Sequence, residues 1–477
     1  MTITFPTPDP EILSRRSEII RALSLLLPAN SIVTTSEELS AFETDALTAY
    51  RHKPLIVVLP SSTEEVAAVM RYCAEGRIPV VPRGAGTSLS GGAIPQEDAV
   101  VLGLSKMNRI LKIDPDSRCA TVQAGVTNLA ISGAVAHEGL FYAPDPSSQL
   151  ACTIGGNVAM NSGGAHCLKY GVTTNNLLGV VIVLLDGSVI HVGGEFLDAP
   201  GYDFLGLICG SEGQLGIVTE ATVRLLPIPE GARPMLIGFA SPELAGACVA
   251  AILSAGIIPV AIEYMDRLAI EICEGFAKAG YPLDVEAMLI IEVEGSPQEI
   301  DETLDGILRI AGKVGLLTSR IARNAEESQA IWKGRKAAFG ATGRISDYIC
   351  MDGTIPTGRL PEVLSRIQDI VAAKGLRVAN VFHAGDGNLH PLVLFDINRP
   401  GELEKAEEVG ADILRLCVEV GGCLTGEHGV GIEKRDLMPL QFTGEELGQQ
   451  MRVRAVFDPD WLMNPAKVFP LEGRPMA

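Results

Sequence analysis

The chain has 477 residues, 47% of them hydrophobic and 20% charged, and its 38 Lys and Arg against 58 Asp and Glu leave a net charge of −20. That length exceeds one ordinary core and predicts two domains, while the acidic balance argues against nucleic acid and anionic lipid as direct partners. Ten cysteines without a CxxC pair show no pattern for holding an iron–sulfur cluster and fit reduced thiols in a cytoplasm.

The first residues, MTITFPTPDPEILSRR, show no basic stretch leading into an apolar one, so no secretory leader is expected. LIVVLP (Leu55–Pro60) reads as a strand. SSTEEVAAVMRYCAEG reads as a helix, with Ser62 and Glu65 as a capping box and Gly76 at its end. Ile78–Val81 follows as a second strand, and CATVQAG, LLGVVIVLLDGSVIHV and GIVTEATVRLLP are further β-rich runs, with Asp186–Gly187 as a hairpin turn. The longest apolar run, Leu177–Leu185, falls far short of the roughly 20 residues a membrane-spanning helix needs. From Pro234 the rhythm becomes strand, helix, strand. MLIGF, PVAIEYMD and AMLIIEVEG read as strands, and Pro242–Ala255 and SPQEIDETLDGILRIAGKVG as helices. In PEVLSRIQDIVAAKG, Val363, Leu364, Ile367, Ile370 and Val371 share one face between Pro361 and Gly375. These elements predict an α+β layer with an antiparallel sheet. A helix over Glu402–Val420, a loop GEHGVG and a tail ending WLMNPAKVFP complete the chain.

Three glycine-rich loops lie in the first half. VVPRGAGTSLSGG (Val80–Gly92) follows a strand, where glycine lets the backbone approach a ligand and successive N–H groups form an anion nest. It is not a nicotinamide fingerprint: Leu89 stands where the third glycine of G-x-G-x-x-G belongs, and SGGAIP would not sustain the helix. No G-K-[ST] follows, which excludes a Walker A loop. PDPSSQLACTIGGNVAMNSGGAHCLKYG (Pro144–Gly171) and CGSEGQLGIVTEATVRLLP (Cys209–Pro227) are the other two. Three such loops in one region point to a dinucleotide.

PVVPRGAGTSLSGG, TIGGNVAMNSGG and GSEGQLGIVTEATVRLLP resemble the FAD-binding domain of the vanillyl-alcohol oxidase class (PCMH-type) of flavoproteins. ETDALTAYR, HAGDGNLHP, GEHGVG and NPAKVFP are similar to the FAD-linked 2-hydroxyacid dehydrogenases within that class, which include D-lactate, D-2-hydroxyglutarate and glycolate enzymes, and most of all to the FAD-binding (D) subunits of glycolate oxidases. The resemblance spans nearly the whole chain. It implies an FAD-binding domain over residues 1–230, its core from about residue 52, an α+β cap for substrate over 231–430, and a C-terminal segment, 431–477, returning to the FAD domain. It further implies that Pro82, Arg83, Gly84, Ala85, Gly86, Thr87, Ser88, Gly91 and Gly92 cradle the FAD pyrophosphate. Pro144, Gly155, Gly156, Asn157, Ser162, Gly163 and Gly164 would line the flavin and its ribityl chain. Glu212, Gly213, Gly216 and Ile217 would close the adenine side, joined by Asn464 and Lys467 from the tail. The first loop holds no histidine, so FAD is expected to be non-covalent.

HAGDGNLH carries a histidine on each side of a turn signal. If Asp386–Gly387 is a two-residue turn, His383 and His390 oppose each other with Cβ atoms about 5 Å apart. That spacing suits chelation, and it equally suits two imidazoles stacked on a polar sheet face. GEHGVG adds Glu427 and His428. Two histidines and a carboxylate suit Zn²⁺, and also Mn²⁺ or Fe²⁺. The resemblance implies His383, His390 and Glu427 as the metal ligands and His428 as the base; the bland alternative makes His428 a supporting or surface residue. In IWKGRKAAFG, Arg335 is the candidate clamp for a substrate carboxylate, although flanking Lys333 and Lys336 also fit a charged helix surface.

The implied reaction is oxidation of a 2-hydroxy acid to the 2-oxo acid, with hydride passing to the flavin and electrons onward to a non-nicotinamide acceptor. Relatives acting on dicarboxylates carry a cation and a hydroxyl where Phe339 and Cys350 stand here, which favours glycolate or D-lactate over D-2-hydroxyglutarate. Iron–sulfur and second flavin subunits of a multi-subunit glycolate oxidase complex are the implied partners, and through them a cytoplasmic protein would lie at the inner membrane. The alternative is a flavoprotein subunit active only inside such a complex.

Overall fold

In a computed structural model, residues 3–196 and 201–471 are described. The outer ends of the expected first domain and tail (residues 1, 2 and 472–477) and residues 197–200 lie outside them. The chain divides into two compact units.

One unit comprises Ile3–Gly163, Val172–Ile228 and the chain from Glu427 on. Its first sheet has four strands in the order Ile32–Val33, Ile56–Val58, Val100–Gly103, Val80–Arg83, the last three parallel. The two central strands are buried on both faces, as the unbroken IVV and VVLG runs require. Helix Thr63–Glu75 packs on it through Val66, Val69, Met70 and Cys73. Ser62 caps this helix by accepting the Glu65 amide at 3.3 Å, but Glu65 takes the Ser61 amide at 2.7 Å, so only half of the expected capping box forms. A second, antiparallel sheet runs Ile110–Asp114, Cys119–Gln123, Ile217–Arg224, Leu177–Val183, Val189–Gly193. Asp186–Gly187 lies in its last hairpin, with Gly187 left-handed at φ 79.

The other unit comprises Gly164–Gly171 and Pro229–Gly426. Its seven strands form one antiparallel sheet in the order Leu316–Ile321, Gly231–Phe239, Ala287–Gly295, Ala261–Asp266, Arg377–His383, Pro391–Phe395, Asp347–Cys350. Helices Pro242–Ser254 and Leu360–Ala373 pack on each other. Helices Arg267–Ala277 and Ala325–Lys336 cover the face built by Leu236, Met288, Ile290, Met265, Val381 and Leu392. Side chains alternate along a strand, so Glu263, Glu292, His383 and His390, each two residues from one of those apolar positions, share that face at its polar end.

Gly164–Gly171 joins this unit through the same polar end. His166 Nε2 lies 3.0 Å from Glu292 Oε2, Trp332 Nε1 donates to Glu292 Oε1 at 2.8 Å, and Lys169 pairs with Glu294 at 2.7 Å. The second glycine loop thus contributes to both units, whereas the expected bounds at residues 230 and 430 placed it wholly in the first. Among the described residues, no helix is long and apolar enough to cross a membrane. The ten cysteines, all among the described residues, form no disulfide, and burial pushes the thiols of Cys73, Cys209, Cys248, Cys273 and Cys417 up to about 12.

Candidate active site

The histidine hairpin forms in a different register from the one expected. Asn380 pairs with Pro391, and an isolated bridge carries the same register on to His383 and Asn388. The connection therefore spans Ala384–Gly387 rather than two residues, and His383 does not directly oppose His390. The Asn388 amide donates to His383 O at 3.2 Å, and Gly387 is left-handed at φ 76. The slip amounts to two residues, so His390 stays on the face of His383 as its diagonal neighbour. The two rings meet edge to face, 5.0 Å between centroids, and both residues are buried.

Behind His383 stands a residue that the sequence reading missed. Glu263, on strand Ala261–Asp266, is its cross-strand partner and wholly buried. His383 Nδ1 lies 2.7 Å from Glu263 Oε1, while Arg335 reaches Oε2 through Nε at 2.7 Å and Nη2 at 2.6 Å. Burial pushes the Glu263 carboxyl up; His383 and Arg335 more than offset that and hold it below its ordinary value. The Arg335 guanidinium is therefore no surface charge: part of its fork is committed to a protein carboxylate. The available signal was one carboxylate inside the otherwise apolar strand AIEYM.

His390 has a looser counterpart, also missed. Its Nδ1 lies 3.8 Å from Oδ1 of the fully buried Asp352. Asp352 Oδ2 accepts the Thr425 hydroxyl and, at 3.0 Å, the Gly426 amide. A Cys350 Sγ lies within 4.8 Å of a His390 ring nitrogen, and the Phe339 ring centroid lies 6.5 Å from that of His390. Imidazole, carboxylate and thiol donors of this kind suit a divalent transition metal. After Gly426 the chain continues directly into Glu427 and His428.

In the first unit, the loop bearing Glu427 and His428 is anchored on the glycine loops. Glu212 accepts the Val430 amide at 2.6 Å and the Gly431 amide at 2.9 Å, and Gly429 and Gly431 are left-handed at φ 82 and 54. Ser90 Oγ donates to His428 O at 2.9 Å, and the Ile432 amide donates to Ser90 O at 2.9 Å. Burial pushes the Glu212 carboxyl up, only partly countered by those amides and by Lys434 and Lys467.

Residues expected to bind the cofactor converge here. Asn464 Nδ2 donates to Gly92 O at 3.0 Å and Glu212 O at 2.7 Å, joining the tail to the first and third loops. Lys467 Nζ donates to Ile94 O at 2.7 Å, and burial pushes that amine down to about 7. Pro82 lies against Gly213 and Ser88 against Gly92, while Gly84 lies so close to Thr153 that a Cβ there would collide with its hydroxyl. A Cβ on Gly86, left-handed at φ 72, would strike Arg83, whose guanidinium donates to Thr44 O at 2.9 Å. Asn157 turns inward, accepting from Asn128 Nδ2 at 3.2 Å. Gly155 presses on Ala124, Gly216 on Ile182, and Ile217 begins a strand; Gly156 faces comparatively open space. Ser162 O accepts from Thr173, Gly163 ends its segment of this unit, and Gly164 opens the segment packed in the other. Pro144 O accepts from Asn128, and Ala85 and Thr87 complete the first turn. Thr153 Oγ1 and Asn464 Oδ1 are buried without a hydrogen-bond partner among the described residues, which fits a polar ligand against these loops.

Residues 54–193 match the family described as FAD binding domain, and residues 228–468 match FAD linked oxidases, C-terminal domain. Glycolate oxidase subunit GlcD of Escherichia coli K12 is 52% identical over 456 residues, 95% of this chain and 91% of that protein. The GlcD subunit of Bacillus subtilis 168 is 39% identical over 432 residues, covering 90% and 92%. A D-lactate dehydrogenase of Anaerostipes hadrus is 33% identical over 445 residues, again covering 90% and 92%. Among solved structures, 4-ethylphenol oxidase from Gulosibacter chungangensis matches with a TM-score of 0.82 at 17% identity, covering 98% of this chain and 99% of that one. p-Cresol methylhydroxylase matches at 0.80 and 17%, covering 98% of each. At such identities the likeness speaks for the fold alone, and it is the fold that the glycine loops implied.

Proposed function

The chain belongs to the FAD-linked oxidase family, and from that premise we propose that it oxidises a small 2-hydroxy acid, glycolate or D-lactate, to the 2-oxo acid. The observation that carries this reading is the buried pair His383 and His390, each with a buried carboxylate behind its Nδ1.

FAD, held without a covalent bond by the three glycine loops and the tail, supplies the hydride acceptor when bound. His383, His390 and Glu427 would hold a divalent metal, Zn²⁺ or else Mn²⁺ or Fe²⁺, whose chemistry is Lewis acidity toward the substrate hydroxyl. His428 is the base that takes the hydroxyl proton, as an imidazole with a reference pKa of about 6.5 can do at neutral pH. Arg335 donates Nε to Glu263 and pairs with it in charge through Nη2, and the remaining donors of its fork would hold the substrate carboxylate. Phe339 and Cys350 offer no cation to a second carboxylate, which restricts the substrate to small monocarboxylates.

The glycolate oxidase relatives are named as subunits, and this chain has no cluster motif. We therefore assign the onward electrons to iron–sulfur and second flavin partner subunits, which would hold a cytoplasmic protein at the inner membrane. The test is anaerobic addition of glycolate, D-lactate and D-2-hydroxyglutarate to the purified FAD-loaded chain, following the visible absorbance of oxidised flavin. Bleaching by the two monocarboxylates is expected. No bleaching by any 2-hydroxy acid overturns the reading.

A further inference from the structure

We propose that Glu263 is a positioning residue that keeps the proton of His383 on Nδ1, and that Arg335 makes this choice of tautomer obligatory. A carboxylate only accepts, so His383 must donate Nδ1–H across the 2.7 Å contact to Glu263 Oε1. A neutral imidazole then carries its lone pair on Nε2, the atom that would ligate. The other carboxylate oxygen accepts from Arg335 Nε at 2.7 Å, an obligatory donor, with Nη2 of the same cation 2.6 Å away. Glu263 and His383 are direct cross-strand partners and the whole chain of contacts is buried, so water cannot substitute for either partner. His390 follows the same plan more loosely, with Asp352 Oδ1 at 3.8 Å from its Nδ1. A carboxylate behind a histidine is the usual arrangement behind a metal-ligating imidazole, where it fixes the tautomer and raises basicity.

The arrangement makes a near-isosteric change disruptive. In Glu263→Gln, Arg335 still demands an oxygen, so the amide must turn its oxygen to Arg335 and its NH₂ to His383. His383 Nδ1 then has to accept, its proton moves to Nε2, and the ligating lone pair is lost. Removing the demand restores the choice: in Glu263→Gln with Arg335→Met, the amide oxygen is free to face His383 again.

The inference rests on the metal reading of His383 and His390, and two readouts separate the two. The first is Zn²⁺ affinity of the FAD-loaded protein by competition with a chromophoric chelator. Glu263→Gln should bind about 10- to 100-fold more weakly than wild type, and the double variant should recover most of that loss. The second is a long-range ¹H–¹⁵N spectrum of metal-free, histidine-labelled protein, in which His383 should switch from Nδ1–H to Nε2–H in Glu263→Gln and back in the double variant. Thermal melting accompanies both, and Glu263→Asp serves for the spectrum if Glu263→Gln does not fold, with Nδ1–H expected. A wild type that binds no Zn²⁺ overturns the metal reading and leaves the tautomer test standing. Nε2–H in wild type or in Glu263→Asp, or wild-type affinity and an unchanged spectrum in folded Glu263→Gln, overturns the inference.

Discussion

Replacing Glu212 by Gln tests whether the loop bearing His428 is held for catalysis by a single buried carboxylate. Glu212 is 4% exposed and accepts two backbone amides, Val430 at 2.6 Å and Gly431 at 2.9 Å. Gln has one oxygen, so one amide keeps its acceptor and the other faces an NH₂ group. A buried donor left unsatisfied costs about 1–3 kcal/mol; Glu212→Ala, which strands both, should cost about 2–6 kcal/mol by the same rule. Urea unfolding of the FAD-loaded protein should show that order, with Glu212→Gln less destabilised than Glu212→Ala. Turnover should fall further than stability explains. His428 lies two residues before Val430, and an ångström of displacement at a reacting group is worth on the order of 100-fold in rate. The assay is flavin reduction by glycolate in a single turnover, under conditions where the variant is fully folded and saturated with FAD. A Glu212→Gln protein that reduces its flavin at the wild-type rate would refute the reasoning, because the loop would then need no anchor.

Three further outcomes are expected. Chelation should abolish flavin reduction while the flavin absorbance remains, with activity restored by added Zn²⁺ or Mn²⁺, and His390→Ala should behave like the chelated protein; reduction that survives chelation removes the metal from the reaction. D-2-hydroxyglutarate should be oxidised with a kcat/KM about 10- to 100-fold below that of glycolate, from the cost of an unpaired carboxylate beside Phe339 and Cys350; equal values would count against this assignment of specificity. Burial pushes the Asp45 carboxyl up from 3.8 to about 6, so the stability it contributes is complete below pH 3.8 and lost as the pH rises through about 6. Wild type should therefore lose up to about 3 kcal/mol more than Asp45→Asn across that window, read from urea midpoints; parallel profiles would show that Asp45 does not titrate there.

How much of this was legible in the sequence follows from the range of each signal. Helix starts are local, so Ser62 capping Thr63–Glu75 and Ser296 capping Pro297–Val314 could be read from a few residues. Glycine loops are local too, and their spacing marked the backbone proposed to approach the cofactor. Glu263 is different: its importance lies in meeting His383, 120 positions along the chain, and Arg335, 72 positions along. No periodicity within AIEYM marks that carboxylate as the partner of a histidine. Asp352 was hidden likewise, because its partners Thr425 and Gly426 arrive after a helix, Glu402–Glu419, and a turn.

The hairpin shows why a mistaken register still brought the two imidazoles together. A two-residue turn at Asp386–Gly387 would have set His383 against His390; the four-residue connection sets it against Asn388 instead. The longer connection is consistent with the glycines: Gly385 lies against Leu168 and Ile262, and Gly387 against the Ile355 carbonyl, where any Cβ would collide. Sheet side chains repeat every two residues, so an error of two in register moves a partner along the strand without turning it to the other face. An error of one would have placed His390 on the opposite side of the sheet from Glu263 and His383. The parity of the spacing, rather than the turn type, carried the information, and it tolerated the slip. What parity could not supply was the depth of the site. That depends on helices Arg267–Ala277 and Ala325–Lys336 closing over the same face, and it is this burial that turns two polar residues beside a turn into buried imidazoles, each with a buried carboxylate on its Nδ1 side.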